Sequence, residues 1–91
     1  MAALDLLGRR WALRITWELR ENSLNFRELR AACGNISPSV LNQRLSELRE
    51  AGIVEPGKNG YELTPEGRKL RDALVPLWEW SVRWEKRSRR R

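Results

Sequence analysis

Histidine is absent from this 91-residue sequence, and cysteine occurs only once, at Cys33. Without these residues the chain by itself cannot assemble a zinc site, a disulfide framework or a histidine-based catalytic site. We therefore expect no enzymatic activity and no metal or other cofactor. A lone cysteine also suits a reducing cytoplasm, and we interpret Cys33 as a small buried hydrophobic residue rather than a redox sensor.

Long apolar segments are also missing. No apolar run approaches the roughly 18 residues that a membrane-spanning helix needs, and the start, MAALDLLGRR, lacks the basic region and apolar stretch of a signal peptide. We therefore expect a cytoplasmic protein. The length fits one domain, and a composition of 41% apolar residues with five tryptophans supports only a small core. A partner subunit is the natural addition to so small a core.

The charge is unevenly distributed along the chain. Eighteen basic and twelve acidic residues give a net charge of +6, which is typical of proteins that bind polyanions. Residues 83–91 hold six basic residues and one acidic residue, which leaves a net charge of only +1 for residues 1–82. We divide the chain into a domain at 1–86 and a basic tail at 87–91. The basic end predicts either a disordered arm along DNA or a solubilising terminus.

The spacing of apolar residues predicts a first helix. Apolar side chains recur at steps of three and four residues in the first part of the chain, which places them on one helical stripe from Leu4 to Arg20. These residues are Leu4, Leu7, Trp11, Ile15 and Leu19. Gly8 is a candidate interruption of the first turns of this helix.

Capping patterns predict two further helices close together. Asn25 and Glu28 have the spacing of a capping box and predict a helix over residues 26–33. Ser37, followed directly by proline, predicts the start of a helix over residues 38–51. The short turn between them contains glycine and asparagine, which tolerate a left-handed backbone. This is the geometry of a helix-turn-helix motif, whose second helix enters the major groove of DNA.

A hairpin and a last helix complete the predicted fold. Strand-like runs at 53–55 and 61–63 flank a connection of about five residues at 56–60, which predicts a small hairpin or wing. Thr64 precedes a helix predicted over residues 65–86, with a proline that bends it. Apolar residues cover more than half of its circumference, whereas one packing partner covers about 100°. The fold class is mainly α with a small β-hairpin, a winged helix-turn-helix that dimerises through its terminal helices.

Four segments together resemble the HxlR-type winged-helix transcriptional regulators. They are LGRRWALRITWEL, NFRELRAAC, GNISPSVLNQRLSELREAGIVE and YELTPEGRKL, and the resemblance covers about residues 7–80. It implies a homodimeric DNA-binding regulator whose N- and C-terminal helices form the dimer. Family members often carry a redox-sensing cysteine just before the first core helix, where this chain has Leu4 to Leu7. Oxidant sensing therefore does not carry over to Cys33.

The polar face of the third helix predicts the DNA contacts. Leu41, Leu45 and Leu48 point to the core, so the opposite side carries amide and hydroxyl groups suited to base edges. The predicted base-reading residues are Ser39, Asn42, Gln43, Ser46 and, at the border of the core face, Arg44. The predicted phosphate contacts, which position the protein without specifying sequence, are Asn25, Arg27, Arg30, Ser37, Lys58 and Asn59.

The sequence is compatible with two functions. The first is a homodimeric regulator that reads double-stranded DNA, with an unidentified small-molecule effector as a further partner and no membrane. The second is a protein-interaction or assembly module, which the near-neutral body of the chain favours. We interpret the tryptophans as core and interface residues rather than base-stacking platforms. The predicted dimer interface contains Leu6, Leu13, Trp17, Leu74, Trp78 and Val82.

Overall fold

The computed structural model describes the backbone of residues 2–89, which forms helices and one β-hairpin. Met1, Arg90 and Arg91, which the predicted domain and tail include, lie outside the described residues. The elements in chain order are α1 (Ala2–Leu7), α2 (Ala12–Glu18), α3 (Phe26–Ala32), α4 (Pro38–Glu50), β1 (Val54–Gly57), β2 (Gly60–Leu63) and α5 (Pro65–Arg89). The prediction of a mainly α fold with a small β-hairpin is confirmed.

The stretch from Leu4 to Arg20 is not one continuous helix, and the interruption considered at Gly8 is present. The chain forms two helices instead, and Trp11 at the N-cap of α2 has a φ of 78°, a left-handed conformation that a continuous α-helix excludes. The connection begins at Gly8, and the next residue, Arg9, donates its N–H to the carbonyl of Leu6. The break therefore reorients the chain before the buried part of α2 begins.

The helix-turn-helix segment forms with the predicted caps. The Asn25 side chain accepts the Glu28 N–H at 2.7 Å, and the Glu28 carboxylate accepts the Asn25 N–H at 3.0 Å. Ser37 caps α4 by accepting a backbone N–H at 3.5 Å. Gly34 and Asn35, between the helices, have φ values of 71° and 61°. The turn therefore uses the two residue types that adopt a left-handed backbone at least cost.

One row of leucines anchors α4 to the core. Leu41, Leu45 and Leu48 are 0%, 2% and 0% exposed. They belong to a cluster with Ile15, Leu19, Leu29, Cys33, Ile36, Val54 and Leu63, drawn from α2, α3, the turns and both strands. Because these leucines recur at steps of four and three residues, their burial turns the opposite side of α4 toward solvent.

The hairpin is tighter than predicted. In the antiparallel register Val54 pairs with Leu63 and Gly57 pairs with Gly60, so only Lys58 and Asn59 form the turn. The expected connection of about five residues was wrong because the strands extend further toward the turn. Proline is accommodated in β1, which is an edge strand of the two-stranded sheet.

The hairpin is held against the loop that precedes α3. Tyr61 and Leu24 form an antiparallel bridge with N···O distances of 2.8 and 3.0 Å. A Cβ at Gly60 would lie 2.5 Å from the Cα of Asn25, and the φ of 142° at Gly60 also favours glycine. The wing is therefore short and fixed to the body of the protein.

Helix α5 starts after Thr64, whose hydroxyl connects the helix to the turn after α4. The Thr64 hydroxyl accepts the N–H of Gly67 at 2.9 Å and donates to the carbonyl of Gly52, in the turn after α4. The helix contains Pro76 and continues to Arg89, three residues past the predicted end. No helix in the described range 2–89 is long and apolar enough to cross a membrane. The division at residue 86 stays a prediction.

We expect Gly67→Ala to lower the free energy of unfolding by about 1–3 kcal/mol, because overpacking of a tight site costs that much. A Cβ at Gly67 would lie 2.2 Å from the carbonyl oxygen of Ile53, in a buried contact between α5 and the start of the hairpin. Urea unfolding followed by circular dichroism measures the effect. Glu66→Ala, at the exposed neighbouring position, is the control, and equal stability of the two variants would contradict the prediction.

Candidate DNA-binding surface

The polar face of α4 is open to solvent. Ser39, Asn42, Gln43 and Ser46 are all exposed. The Ser39 hydroxyl lies 3.0 Å from that of Ser37, and among the described residues the other three side chains make no hydrogen bond. These groups are therefore free to form hydrogen bonds with a ligand. The structure brings four of the five predicted base-reading residues onto one exposed surface.

Arg44 differs from the other predicted base-reading residues. Its Nε donates to the carbonyl of Arg10 at 3.0 Å, and its guanidinium pairs with Glu47, which also pairs with Arg9 at 3.1 Å. The side chain of Arg44 is only 17% exposed. These contacts direct it toward the loop between α1 and α2, so it connects α4 to that loop.

The three cationic residues among the predicted phosphate contacts fall into two groups. Arg27 and Lys58 are exposed, and within the described part of the chain their side chains make no hydrogen bond or ion pair. Arg30 is half-buried and donates to the carbonyl of Ile36 at 2.8 Å, which supports the turn before α4. Only the first group offers an unpaired cation.

The remaining predicted phosphate contacts also stabilise the fold. Asn25 and Ser37 use their side-chain oxygens as helix caps. The backbone N–H of Asn59 donates to the Ser23 hydroxyl at 3.2 Å, which ties the tip of the hairpin to the loop before α3. All three residues are exposed, so their capping and bridging roles leave one side of each open to solvent.

A cleft beside α4 contains residues that sequence reasoning missed. It has a volume of about 520 Å³ and lies between α4 and the hairpin, lined by Asn42, Leu45, Ser46, Arg49, Glu50 and Tyr61. Arg49 follows Asn42 by seven residues, and this helical spacing could have identified it. No spacing in the sequence identifies Tyr61 as a cleft residue, because only the register of the hairpin brings it to the cleft.

One apolar face of α5 packs on α2 within the chain, although Trp78 stays 51% exposed and Leu77 also lines the cleft between the two helices. Trp78 stacks on Trp17 with ring centroids 5.1 Å apart, and both line an apolar cleft of about 380 Å³ between α2 and α5, together with Leu13 and Leu74. Part of the predicted dimer interface thus packs within one chain. Leu6 and Val82 are half-buried.

A second stripe on α5 is open. Leu77, Trp80 and Trp84 are 52%, 52% and 54% exposed, and the two tryptophan rings stack with centroids 6.0 Å apart. With Ala73 they recur at steps of four, three and four residues, the spacing of a coiled-coil seam. Contiguous exposed apolar residues often mark protein-contact sites, so this stripe is a candidate protein-contact surface.

Cys33 is buried in the core, at 1% exposure. Burial raises the pKa of its thiol above the ordinary value; Arg14 nearby lowers it and Glu18 raises it further. The protonated thiol is a poor nucleophile. The prediction that Cys33 is buried is confirmed. The raised pKa of its thiol disfavours oxidation.

Two helices joined by a short turn, the second with an exposed polar face, and a following hairpin define a winged helix-turn-helix protein. The model of the HxlR-like helix-turn-helix family matches residues 6–89. The chain therefore belongs to the HxlR-like helix-turn-helix family, and the resemblance found in the sequence is confirmed. Its relatives are named as transcriptional regulators, a non-enzymatic class.

Individual relatives agree with this assignment. The HTH-type transcriptional regulator YvaP of Bacillus subtilis is 35% identical over 89 residues, which cover 90% of this chain and 82% of YvaP. A structure described as a possible HxlR family transcriptional factor from Thermoplasma volcanium matches with a TM-score of 0.83 and 30% identity, covering 91% of this chain and 81% of that one. Quinone-bound YodB of Bacillus subtilis matches with a TM-score of 0.80 and 32% identity, covering 90% and 93%.

We expect the Cys33 thiol to react slowly with iodoacetamide in the folded protein at neutral pH, because burial blocks access and the raised pKa keeps the thiol protonated. Raising the pH should accelerate labelling, and denaturing urea should bring its rate to that of a free cysteine. Mass spectrometry of timed samples measures both rates. Equal labelling rates with and without urea would contradict the buried environment.

Proposed function

We propose that this chain is a homodimeric regulator that binds double-stranded DNA in a sequence-specific manner, with α4 in the major groove. The observation that carries the proposal is the joint exposure of Ser39, Asn42, Gln43 and Ser46 opposite a fully buried row of leucines. An amphipathic helix of this kind presents hydrogen-bonding groups outward along its length. Membership in a family of helix-turn-helix regulators supports the same function.

The chemistry of these side chains suits base edges. The major groove is about 12 Å wide, and a helix with its side chains is about 10–12 Å across, so α4 fits between the phosphate strands. Asn42 and Gln43 can each form a bidentate pair with adenine, and the two serines can donate or accept. We assign no base contact to Arg44, because its guanidinium is engaged with Glu47 and the Arg10 carbonyl.

Phosphate contacts would supply the part of the affinity that does not depend on sequence. Arg27 and Lys58 are the predicted contacts with exposed cationic side chains that make no ion pair in the described residues. The N-terminus of α4, at Ser37 to Ser39, adds backbone N–H groups that favour an anion. Asn25, Arg30 and Asn59 would assist mainly by holding this surface in shape.

A homodimer accounts for the apolar stripe of Leu77, Trp80 and Trp84. Residues of this kind are enriched at interfaces, and their exposure in one chain supports a partner that covers them. We therefore add them to the predicted interface. A two-fold dimer would place its α4 helices in successive major grooves about 34 Å apart, and it would read a pseudo-palindromic site.

Two further proposals depend on the same surfaces. An assembly module without DNA binding is favoured by the near-neutral charge of residues 1–82. The two functions differ in salt dependence, because each phosphate contact of a DNA binder costs about 0.9 log units of affinity per tenfold rise in salt. A small-molecule effector would have the apolar cleft between α2 and α5 available. One structure of the relative YodB is described as quinone-bound.

We expect Gln43→Ala and Asn42→Ala each to weaken binding to the preferred DNA site by about 1–3 kcal/mol and to change binding to random DNA little, because each removes a base contact. The preferred site is first selected from a random duplex library with the unmodified protein. Fluorescence anisotropy measures both affinities.

Asn22→Ala serves as the matched control, since Asn22 is an exposed asparagine in the loop after α2. If all three variants bind the selected site as tightly as the unmodified protein, the assignment of the reading face fails. If the unmodified protein binds no DNA even at low salt, the assembly module becomes the better function.

We expect the protein to be a dimer of about twice the 10.7 kDa chain mass, and Leu77→Ser combined with Trp84→Ser to yield monomers because it removes two large apolar contacts. Light scattering at micromolar concentration measures the mass. Val75→Ser, at a less exposed apolar position on another side of α5, is the control. A monomeric unmodified protein would remove the proposed two-fold readout.

A further inference from the structure

The row of polar residues on α4 extends one turn beyond the residues that the sequence indicated. Asn42, Ser46 and Arg49 follow at steps of four and three residues, so they lie along one stripe of the helix. Arg49 is exposed, and within residues 5–88 its guanidinium makes no hydrogen bond and no ion pair. The stripe therefore ends in an unpaired cation.

The hairpin turns this stripe into one wall of a cleft. Tyr61 lies on the opposite side, and its backbone is fixed by the two hydrogen bonds to Leu24. The space between the walls, about 520 Å³, is open to solvent. The cleft thus combines hydroxyl groups, an amide and one free guanidinium, which are groups that bind phosphate oxygens, with the carboxylate of Glu50 as the one acidic group of its lining.

The geometry of B-DNA determines what would occupy this cleft. The major groove is bordered by two sugar–phosphate strands and is scarcely wider than a helix. When the outward face of α4 meets the base edges, each flank of the helix must face one of these strands. The cleft lies on the flank of α4 that is turned toward the hairpin, so a strand would pass between the two elements.

The other flank of α4 has a different electrostatic character. There Glu47 pairs with both Arg44 and Arg9, which leaves no free cation in that group of three. On the cleft side, Glu50 is the acidic neighbour of Arg49. Glu50 also lines the cleft, and its carboxylate would repel a phosphate. Arg49 is the one cation among the lining residues, so it is the residue that would attract the strand.

We propose that the cleft between α4 and the hairpin binds one phosphodiester strand of duplex DNA, and that Arg49 is the residue that contacts its phosphate. This inference rests on the proposed function and assigns a contact that the predicted site did not include. Arg49 positions the reading face: a contact at the C-terminal end of α4, combined with the N–H groups at its N-terminal end, fixes the helix at both ends. Phosphate contacts of this kind set register without reading sequence.

The test compares Arg49→Gln and Arg49→Lys with Lys69→Gln, an exposed α5 lysine that pairs with Glu66. All are measured on a selected duplex and on a random duplex over a range of salt concentrations. Arg49→Gln should weaken binding to both duplexes by a similar factor and lower the magnitude of the salt slope by about two for a dimer, one contact in each subunit. Arg49→Lys should preserve the slope, because it keeps the charge.

A second measurement locates the contact. Neutral methylphosphonates replace single phosphates of the selected duplex, one position at a time. One position that weakens binding of the unmodified protein should have no further effect on Arg49→Gln, while Lys69→Gln keeps the full sensitivity there.

The outcomes separate this inference from the function on which it rests. If the unmodified protein binds DNA but Arg49→Gln keeps both its salt slope and its complete methylphosphonate pattern, the assignment of Arg49 is overturned and the DNA-binding function stands. If the unmodified protein binds neither duplex at low salt, both are overturned. A loss confined to the selected duplex would make Arg49 a base-reading residue and overturn the strand contact.

Discussion

Burial of Leu41, Leu45 and Leu48 sets the direction in which α4 presents its polar side. Burying one leucine contributes about 1.5–3 kcal/mol, and all three are at most 2% exposed. Half a turn about the helix axis would bring the leucines into water and place the amides of Asn42 and Gln43 against the core. Burying an amide without a hydrogen-bond partner adds a further cost. The outward direction of the polar face is therefore a consequence of core packing, and no interaction among the polar residues themselves is needed to create it.

The same core also fixes what lies beside α4. Leu63 of β2 and Val54 of β1 belong to the cluster that holds the leucine row, and Thr64 joins the start of α5 to the turn after α4. The hairpin, the end of α4 and the start of α5 therefore form one mechanical unit. These shared contacts position the hairpin relative to α4, and the cleft lies between the two elements.

Local patterns were sufficient for the parts of the fold that local interactions decide. The capping box of Asn25 and Glu28, the cap at Ser37 and the left-handed Gly34 and Asn35 each involve residues at most three positions apart, and all were predicted. An interruption at Gly8 was considered, but the left-handed Trp11 was not predicted, because no short-range rule favours that conformation at a bulky aromatic residue. The tertiary packing of that segment overrides the helical spacing of its apolar residues.

The candidate site shows the same limit. Exposure of the amide-bearing face followed from helical periodicity, whereas the partners of individual arginines did not. Arg44 is tied to a carbonyl 34 residues earlier in the chain, and Arg49 borders a cleft completed by Tyr61 of the hairpin. Both depend on how distant segments meet, and this information is absent from the spacing within α4. The length of the hairpin connection was also misjudged, because the strands pair as far as Gly57 and Gly60.

Low charge and dimerisation are linked in the proposed function. Residues 1–82 carry a net charge of only +1, and several arginines are used in internal contacts, so this part of one subunit, without the basic residues 83–91, offers few free cations to the phosphate strands. Because the phosphate term dominates affinity without regard to sequence, a single subunit would bind DNA weakly. Joining two subunits makes the second binding event intramolecular and multiplies the affinity without new contacts. In the proposed function the exposed apolar stripe of α5 would thereby become a requirement of DNA recognition, since association would supply what the charge of residues 1–82 does not.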